Sequence, residues 1–535
     1  MNAPVSHDLL AHVSHAWDSD IVAQLTDYIA IPAKSPAFDA DWAQHGHIDQ
    51  VVQRAADWVL AQKVAGLSLE VIRLPNRTPV LFFEVAATRP SDTQSETVLM
   101  YGHLDKQPEF SGWRNDLGPW TPKFEDGKLY GRGGADDGYA IYASIAAIQA
   151  LKAQNTPHPR IVGLIETCEE SGSYDLLPYV DALRTRLGNV GLVMCLDSGA
   201  GNYDQLWLTT SLRGMASGVL KVEVLSEGVH SGDASGVVPS SFRIMRQVLD
   251  RLEDSATGRL LPAQFHVEVP ADRLRQAQAT AALLGDELYK RFPWAHHDCG
   301  GANLVTLPMT QDPLQALLQR TWAPTLSVTG AEGLPAFKDA GNVLRPSTAF
   351  KLSLRLPPLV DAAQAVQDLK ALLEDNAPYQ ANVTFHAEGS ANGWNAPTSA
   401  PWFEQALDAA SLAHFGAPCA TIGQGGTIPL MNMLSQGFPK AQMMVCGVLG
   451  PKSNAHGPNE FLHVPFAKKL TAAVAHSFDR RIDEFGLLMA NLDPASDRLD
   501  TAIEQVTVLA RQGELPQVRL DESGLIISPL KAATP

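Results

Sequence analysis

The residues able to do chemistry in this chain stand where short apolar runs end. Val98-Leu-Met-Tyr-Gly-His-Leu-Asp105 places His103 and Asp105 two residues apart, on one side of an extended segment. Ile161 to Ile165 leads into Glu166-Thr-Cys-Glu-Glu170, Leu192 to Leu196 leads into Asp197, and Gln442 to Val448 precedes a loop that holds His456. Leu129-Tyr-Gly-Arg-Gly-Gly-Ala-Asp-Asp-Gly138 adds Asp136 and Asp137, behind glycines that allow close backbone approach and just before a helix. Imidazoles and carboxylates without a thiolate suit Zn²⁺ or a similar divalent ion in an open, catalytic site. Two metals sharing one carboxylate would explain why so many carboxylates are needed. Singly, each piece has an ordinary reading. Glu169-Glu170 could be an exposed acidic pair at a turn, Asp136-Asp137 a helix N-cap, Asp197 a cap of the Ser198-Gly199 turn, and His456 a surface loop residue. Their joint occurrence, always at strand ends, argues against those readings.

Such convergence needs a sheet whose strands deliver their ends to one rim. Leu67 to Leu74, Val80 to Ala87, Val98 to Tyr101, Ile161 to Ile165 and Leu192 to Leu196 read as strands, between helices at Asp18 to Ala30, Ile48 to Val64 and Tyr139 to Ala153. The alternation predicts an α/β sheet, mostly parallel, with helices on both faces and the site beyond the carboxyl ends of its strands. From about Leu208 the pattern changes. Extended patches at Gly218 to Leu225 and Phe350 to Leu356 surround helices at Ser241 to Leu252 and Leu274 to Lys290, as in a separate α+β unit inserted into the first domain. After a loop at Gly389 to Ala400 the α/β pattern resumes, with a helix near Trp402 to Phe415, the Gln442 to Val448 strand and a helix at Pro465 to Ile482. The expected division is a catalytic domain of residues 1–208 and 391–535, of which 493–535 form a C-terminal extension, and an inserted domain of 209–390. The extension carries an amphipathic stretch, Leu499 to Arg511, and a short apolar one, Leu525 to Ile527.

Composition narrows the partners. The 535 residues carry 41 Lys+Arg against 58 Asp+Glu, a formal net charge of −17, which argues against a nucleic acid or other polyanion. Met1 to Asp20 lacks the apolar core of a secretory signal, and no apolar run approaches the ~18 residues of a membrane helix. Cys168, Cys195, Cys299, Cys419 and Cys446 are scattered with no C-x-x-C pair, as expected of reduced thiols in a cytoplasmic protein.

With these residues in view, the chain resembles the di-zinc metallopeptidases that include carnosinases, glutamate carboxypeptidases, aminoacylases and succinyl-diaminopimelate desuccinylase. The resemblance runs from Tyr28-Ile-Ala-Ile-Pro32 to about Leu492, and its most specific marks are Gly102-His-Leu-Asp105, Leu129-Tyr-Gly-Arg-Gly133 with Asp136-Asp137, Glu169-Glu170 and His456. It implies two Zn²⁺ per subunit, with Mn²⁺ or Co²⁺ as alternatives. His103 and Asp197 would bind one ion, Glu170 and His456 the other, and Asp136 would bridge them, its carboxylate aimed by an Asp136–Asp137 cis peptide. Asp105 would orient His103, and Glu169 would be the general base. The inserted unit, about Thr209 to Ser390, is similar to a long lid and dimerisation domain of the carnosinase kind. Gly228-Val-His-Ser-Gly-Asp233 resembles the motif whose histidine, here His230, reaches across a homodimer to the tetrahedral intermediate. Without the resemblance His230 reads as a loop histidine and Arg355 as a solvated strand charge. With it, Asn342, Arg355 and Thr427 (in Gly425-Gly-Thr-Ile-Pro429) are expected to contact substrate.

The implied activity is hydrolysis of dipeptides or small peptides with a free C-terminal carboxylate; an N-acyl-amino-acid amidohydrolase is the alternative. Two departures stand out. Gly138-Tyr139 occupies the place where the family usually has Lys-Gly after the paired aspartates. Glu388 stands near the lid exit where carnosinases carry a histidine, either as a solvated charge or to meet a cationic substrate group.

Overall fold

The computed structural model describes residues 4–88, 96–299, 302–477, 516–521 and 524–529. Its central sheet has six strands in the order Leu67–Ile72, Val80–Val85, Arg160–Glu166, Thr97–His103, Val190–Cys195, Gln442–Val445. The last four run parallel, and the first two add an antiparallel edge. The parallel strands are apolar because both faces are covered. Along Thr97–His103, Val98 and Met100 enter one core with the helices His47–Ala61, Tyr139–Ala153, Pro401–Phe415 and Val464–His476. Leu99 and Tyr101 enter the other, with Leu176–Leu187 and Pro429–Gly437. This is the expected α/β architecture.

A second sheet, wholly antiparallel, has the order Thr325–Glu332, Ser347–Leu356, Gly214–Glu223, Asn382–Ala391. Burial alternates along Gly214–Glu223, and the buried side packs on the helices Ser241–Leu249 and Ala362–Glu374 as a core of its own. Between the two lies a small sheet in which Trp207–Leu212 pairs in parallel with Ala420–Gln424 and antiparallel with Trp394–Asn395. The helices Ala271–Leu284 and Pro313–Thr321 fall within the expected insertion. Even so, their Ala277, Ala281 and Leu317 join the core of the central sheet.

Several boundaries differ from the sequence reading, each for an identifiable reason. The first helix begins at Pro4 rather than Asp18 and runs through a π-helical turn, Trp17–Ile21, to Ile29. Leu9, Val13, Trp17, Ile21, Leu25 and Ile29 are all buried and spaced by four, a continuous apolar seam that the intervening polar residues obscure. The Leu274 to Lys290 helix is two, Ala271–Leu284 and Glu287–Lys290, broken at Gly285 with φ +51°. The expected loop from Gly389 still belongs to a strand as far as Ala391. Leu525 to Ile527 lies in a hairpin of Pro516–Asp521 with Gly524–Pro529, whereas Leu499 to Arg511 lies outside the described residues, as do 478–482 of the last catalytic helix. Among the described residues no helix is long and apolar enough to cross a membrane.

Trp17 is fully buried, and its indole nitrogen donates to Thr471 Oγ1 at 3.2 Å in the helix Val464–His476. Trp17→Ala should therefore cost about 3–5 kcal/mol, read as a shift in urea midpoint. An unchanged midpoint would show that the first helix does not pack as described.

Candidate metal centre

The parallel strands end on one rim, and the site grows from their ends. The Thr97–His103 strand is buried throughout and runs into His103 itself. The side chain of His103 is fully buried; its Nδ1 lies 3.1 Å from the Asp105 carbonyl and 3.5 Å from Asp105 Oδ1. Those contacts turn Nε2 toward Asp136 Oδ1 at 3.4 Å, Asp197 Oδ1 at 3.9 Å and Glu169 Oε2 at 4.0 Å. On the other side of Asp136, His456 Nε2 stands 2.9 Å from Asp136 Oδ2 and 3.4 Å from Glu170 Oε2. Asp136 is thus the carboxylate common to both histidines. The Asp105 carboxylate accepts the backbone N–H groups of Glu169 (3.1 Å) and Glu170 (3.0 Å), which fixes the turn carrying both glutamates. The Asp136–Asp137 peptide is cis. Asp137 sits below the cluster, with Oδ2 accepting the His103 backbone N–H at 3.4 Å.

The atoms facing the centre lack partners of their own. Among the described residues His103 Nε2 and Glu170 Oε1 are buried without a hydrogen bond, although a buried polar atom is normally paired. Ligand atoms of His103, Asp136 and Glu170, and of His103, Glu169 and Asp197, lie within 4.8 Å of one another. The electrostatics agree. Burial pushes Glu169 and Asp197 well above the usual carboxylate range, although His103 pulls both down, and burial raises Glu170 to about 7. Burial would also raise Asp136, but the hydrogen bonds of His103 and His456 outweigh it and hold that carboxyl well below its usual range. His456 is half-exposed; its crowded surroundings disfavour the charged ring, yet Glu170 and Asp136 raise it to about 10. The positive charge that these imidazoles would carry as cations is what a divalent ion supplies when they bind it as neutral ligands. The donor set, the orphaned atoms and the excess of carboxylate all fit such an ion.

The remaining residues singled out in the sequence fall into two pairs. His230 is exposed and pairs with Val343 on a two-residue strand, and the neighbouring Ser231 N–H donates to the Asn342 carbonyl at 3.0 Å. His230 and Asn342 are therefore adjacent, and among the described residues neither forms an ion pair or side-chain hydrogen bond with the cluster. Arg355 Nη1 donates to Thr427 Oγ1 at 3.1 Å, and that hydroxyl donates to the Arg213 carbonyl at 2.6 Å. Gln424, just ahead of the Gly425–Thr427 loop, packs against Gly199, where an added Cβ would lie 2.8 Å from its amide nitrogen. The loop thus borders the turn that follows Asp197. Glu388 pairs with Lys351 at 2.8 Å across the second sheet, beside a bulge between Ala387 and Gly389.

With that geometry in view, similarity to known proteins is informative. Residues 99–480 match the sequence model of peptidase family M20/M25/M40. The chain belongs to peptidase family M20/M25/M40. This peptidase is 27% identical over 425 residues to the cysteinylglycine-S-conjugate dipeptidase of Corynebacterium striatum, covering 78% of this chain and 88% of that one. It is 26% identical over 450 residues to the human beta-Ala-His dipeptidase, covering 80% and 83%. In fold it is similar to the di-peptidase Dug1p from Saccharomyces cerevisiae, with a TM-score of 0.69 at 22% identity over 89% of this chain and 99% of that one. The family and the cluster together give the peptidase a divalent-metal site.

Several supporting residues escaped the sequence reading. Arg132 and Glu460 form a fully buried ion pair through Nη1 and Oε2. From there Arg132 Nη2 donates to the carbonyls of His456 (2.9 Å) and Gly457 (3.0 Å), and Glu460 Oε1 accepts the Gly133 N–H at 2.8 Å. The pair ties the His456 loop to the Asp136 segment. That loop needs tying, since Lys452, Asn454, His456 and Asn459 all have positive φ. The signal in the sequence was an arginine set among the glycines that precede Asp136 and Asp137. Gly138 explains one departure from the family pattern: a Cβ there would fall 2.1 Å from Cε1 of Tyr28. Tyr28 in turn donates to the Leu104 carbonyl at 3.0 Å. Gln107 Nε2 donates to Glu170 Oε2 at 2.6 Å.

Removing one member of the Arg132–Glu460 pair strands a buried charge. Arg132→Met is expected to cost about 3–5 kcal/mol of stability and to lower divalent-metal affinity about 10–100-fold, by denaturant and calorimetric metal titrations. Undiminished metal affinity in the destabilised variant would show that the pair serves the fold alone.

Proposed function

We propose that this peptidase is a dipeptidase that holds two zinc ions, with Mn²⁺ or Co²⁺ able to replace them, and hydrolyses small peptides bearing a free C-terminal carboxylate. The observation that carries the reading is the meeting of His103, Asp136, Glu169, Glu170, Asp197 and His456 at one rim, with His103 Nε2 and Glu170 Oε1 unpartnered. The dipeptidases of Corynebacterium striatum and human named above support the substrate class. His103 and Asp197 would hold one ion, Glu170 and His456 the other, and Asp136 both. Bound there, the metals would supply Lewis-acid polarisation of the scissile carbonyl and acidify a water molecule.

The other residues divide the remaining work. Glu169, beside His103 and raised by burial, takes the proton of the attacking water and passes it to the leaving nitrogen. Asp105 keeps Glu169 and Glu170 in place through their backbone N–H groups and fixes the ring of His103. Arg355, with Thr427 beside it, holds the substrate carboxylate. His230 and Asn342 act from the partner subunit of a homodimer. That reading is supported by their exposure, by the exposed Phe337 and Val343, and by the outer edge of the Thr325–Glu332 strand, which pairs with no other strand among the described residues. Residues 209–390 serve as the inserted lid and 1–208 with 391–535 as the catalytic part, a division supported by the separate core of the second sheet. A cytoplasmic setting is consistent with the free thiols Cys168, Cys195, Cys419 and Cys446.

Chelation should abolish dipeptide hydrolysis, and added zinc should restore it. Glu169→Gln should keep its metal and lose at least about 100-fold in kcat, whereas Glu170→Gln should lose metal from one site. Equal metal loss in both variants would overturn the division of labour.

The shared site predicts complementation. Mixing inactive His230→Ala and Glu169→Gln chains under subunit exchange should restore activity, because one hybrid site combines an intact Glu169 with an intact His230. Hybrids that form and stay inactive would show that His230 does not act across the dimer.

A further inference from the structure

Beside the Arg355–Thr427 pair lies an accumulation of positive charge that the proposed mechanism does not use. Arg213 is buried; its Nε donates to the Gly425 carbonyl at 3.3 Å, and its Nη1 to Thr325 Oγ1 at 3.1 Å and to the Ala323 carbonyl at 3.3 Å. Arg320 lies on the other side of the same loop. A Cβ on Gly425 would stand 3.1 Å from the Arg320 carbonyl oxygen, 3.2 Å from Arg213 Nη2 and 3.4 Å from Arg320 Cγ. Arg320 Nε and Nη2 are buried and, among the described residues, have no hydrogen-bond partner. Among the described residues no carboxylate pairs with Arg213, Arg320 or Arg355, and the charges that act on Arg320 are those of two further guanidiniums, Arg291 and Arg213. Burial, reinforced by those neighbours, lowers Arg320 to about 9, and burial with Arg355 lowers Arg213 to about 10. The next residue of the loop, Gly426, faces open space, with no atom within 4 Å of where its Cβ would be.

Guanidinium donors buried without partners, as Arg320 Nε and Nη2 are on a residue that is otherwise half-buried, are normally matched to an anion, and the planar fork favours a carboxylate. The Arg355–Thr427 pair already serves the α-carboxylate of the substrate, so the surplus donors point to another anionic group close by. We propose that Arg320 and Arg213, on either side of Gly425, form a second carboxylate subsite, so that the preferred substrates end in aspartate or glutamate. The proposal rests on the dipeptidase reading for its substrate, but the subsite itself can be tested without turnover.

The first measurement is calorimetric titration of the metal-loaded enzyme with glutamate and with glutamine, the two C-terminal products. Glutamate should bind at least about tenfold more tightly, and Arg320→Met should erase most of that difference. The second is kcat/KM for Ala-Glu, Ala-Gln, Ala-Asp and Ala-Asn. The acidic members should be preferred, and Arg320→Met should reduce Ala-Glu at least about tenfold more than Ala-Gln, chiefly through KM. Equal binding of glutamate and glutamine by the wild type overturns the subsite, and so does an equal loss for both in the variant. Should Arg320→Met fail to fold, the wild-type comparison still decides. Glutamate selectivity without hydrolysis of any dipeptide would retain the subsite and refute the dipeptidase reading. A free inorganic anion is the other possible occupant. Replacing gluconate by chloride at constant ionic strength would then raise Ala-Gln turnover and abolish glutamate selectivity, which overturns the substrate assignment.

Discussion

Carboxylates crowded at the end of a buried parallel sheet repel one another, and relieving that repulsion is the constraint on which the rest of this structure depends. Asp105, Asp136, Glu169, Glu170 and Asp197 converge on His103 and His456 because four parallel strands all present their carboxyl ends to the same rim. Burial raises Glu169, Glu170 and Asp197, so the cluster is under pressure to take up protons or a cation. Only a multivalent cation satisfies the orphaned imidazole nitrogen and the carboxylates at once. The family to which the chain belongs and the physics of the cluster therefore reach the same conclusion by separate routes.

The surrounding structure keeps that arrangement from relaxing. The Arg132–Glu460 pair links the Asp136 segment to the His456 loop, so the two sides of the site cannot drift apart independently. Lys106 does comparable work below. Its fully buried ammonium donates to the carbonyls of Tyr28 (2.7 Å) and Ile31 (2.8 Å), closing the end of the first helix against the strand that delivers His103. The same cation lies 3.9 Å from the centroid of the Tyr28 ring, which fills the space left by Gly138 at the start of the Tyr139–Ala153 helix. Polar groups buried without a carboxylate partner are here satisfied by backbone carbonyls, at a point where the chain must be held firmly.

What could be read from the sequence follows from which interactions are local. Ligands that close an apolar run, such as His103 and Asp197, are legible because the run and the residue are contiguous. The apolar seam from Leu9 to Ile29, which passes through the π-helical turn Trp17–Ile21, was half-visible: its spacing of four is present, but it exceeds the helical period, and the polar residues between hide it. The strands Thr325–Glu332 and Ala420–Gln424 were missed because partly exposed strands carry a weak apolar pattern. Arg132 with Glu460, and Arg213 with Arg320 around Gly425, lie far apart in sequence, and only the tertiary fold brings them together.

The central claim is that Asp136 joins two metal ions, one on the His103 side and one on the His456 side. Anomalous diffraction at the zinc edge from crystals of the zinc-loaded protein tests it most directly. The account predicts two peaks about 3.5–4 Å apart, flanking the Asp136 carboxylate, one within reach of His103 and Asp197 and the other of His456 and Glu170. A single peak, or density remote from Asp136, would contradict it.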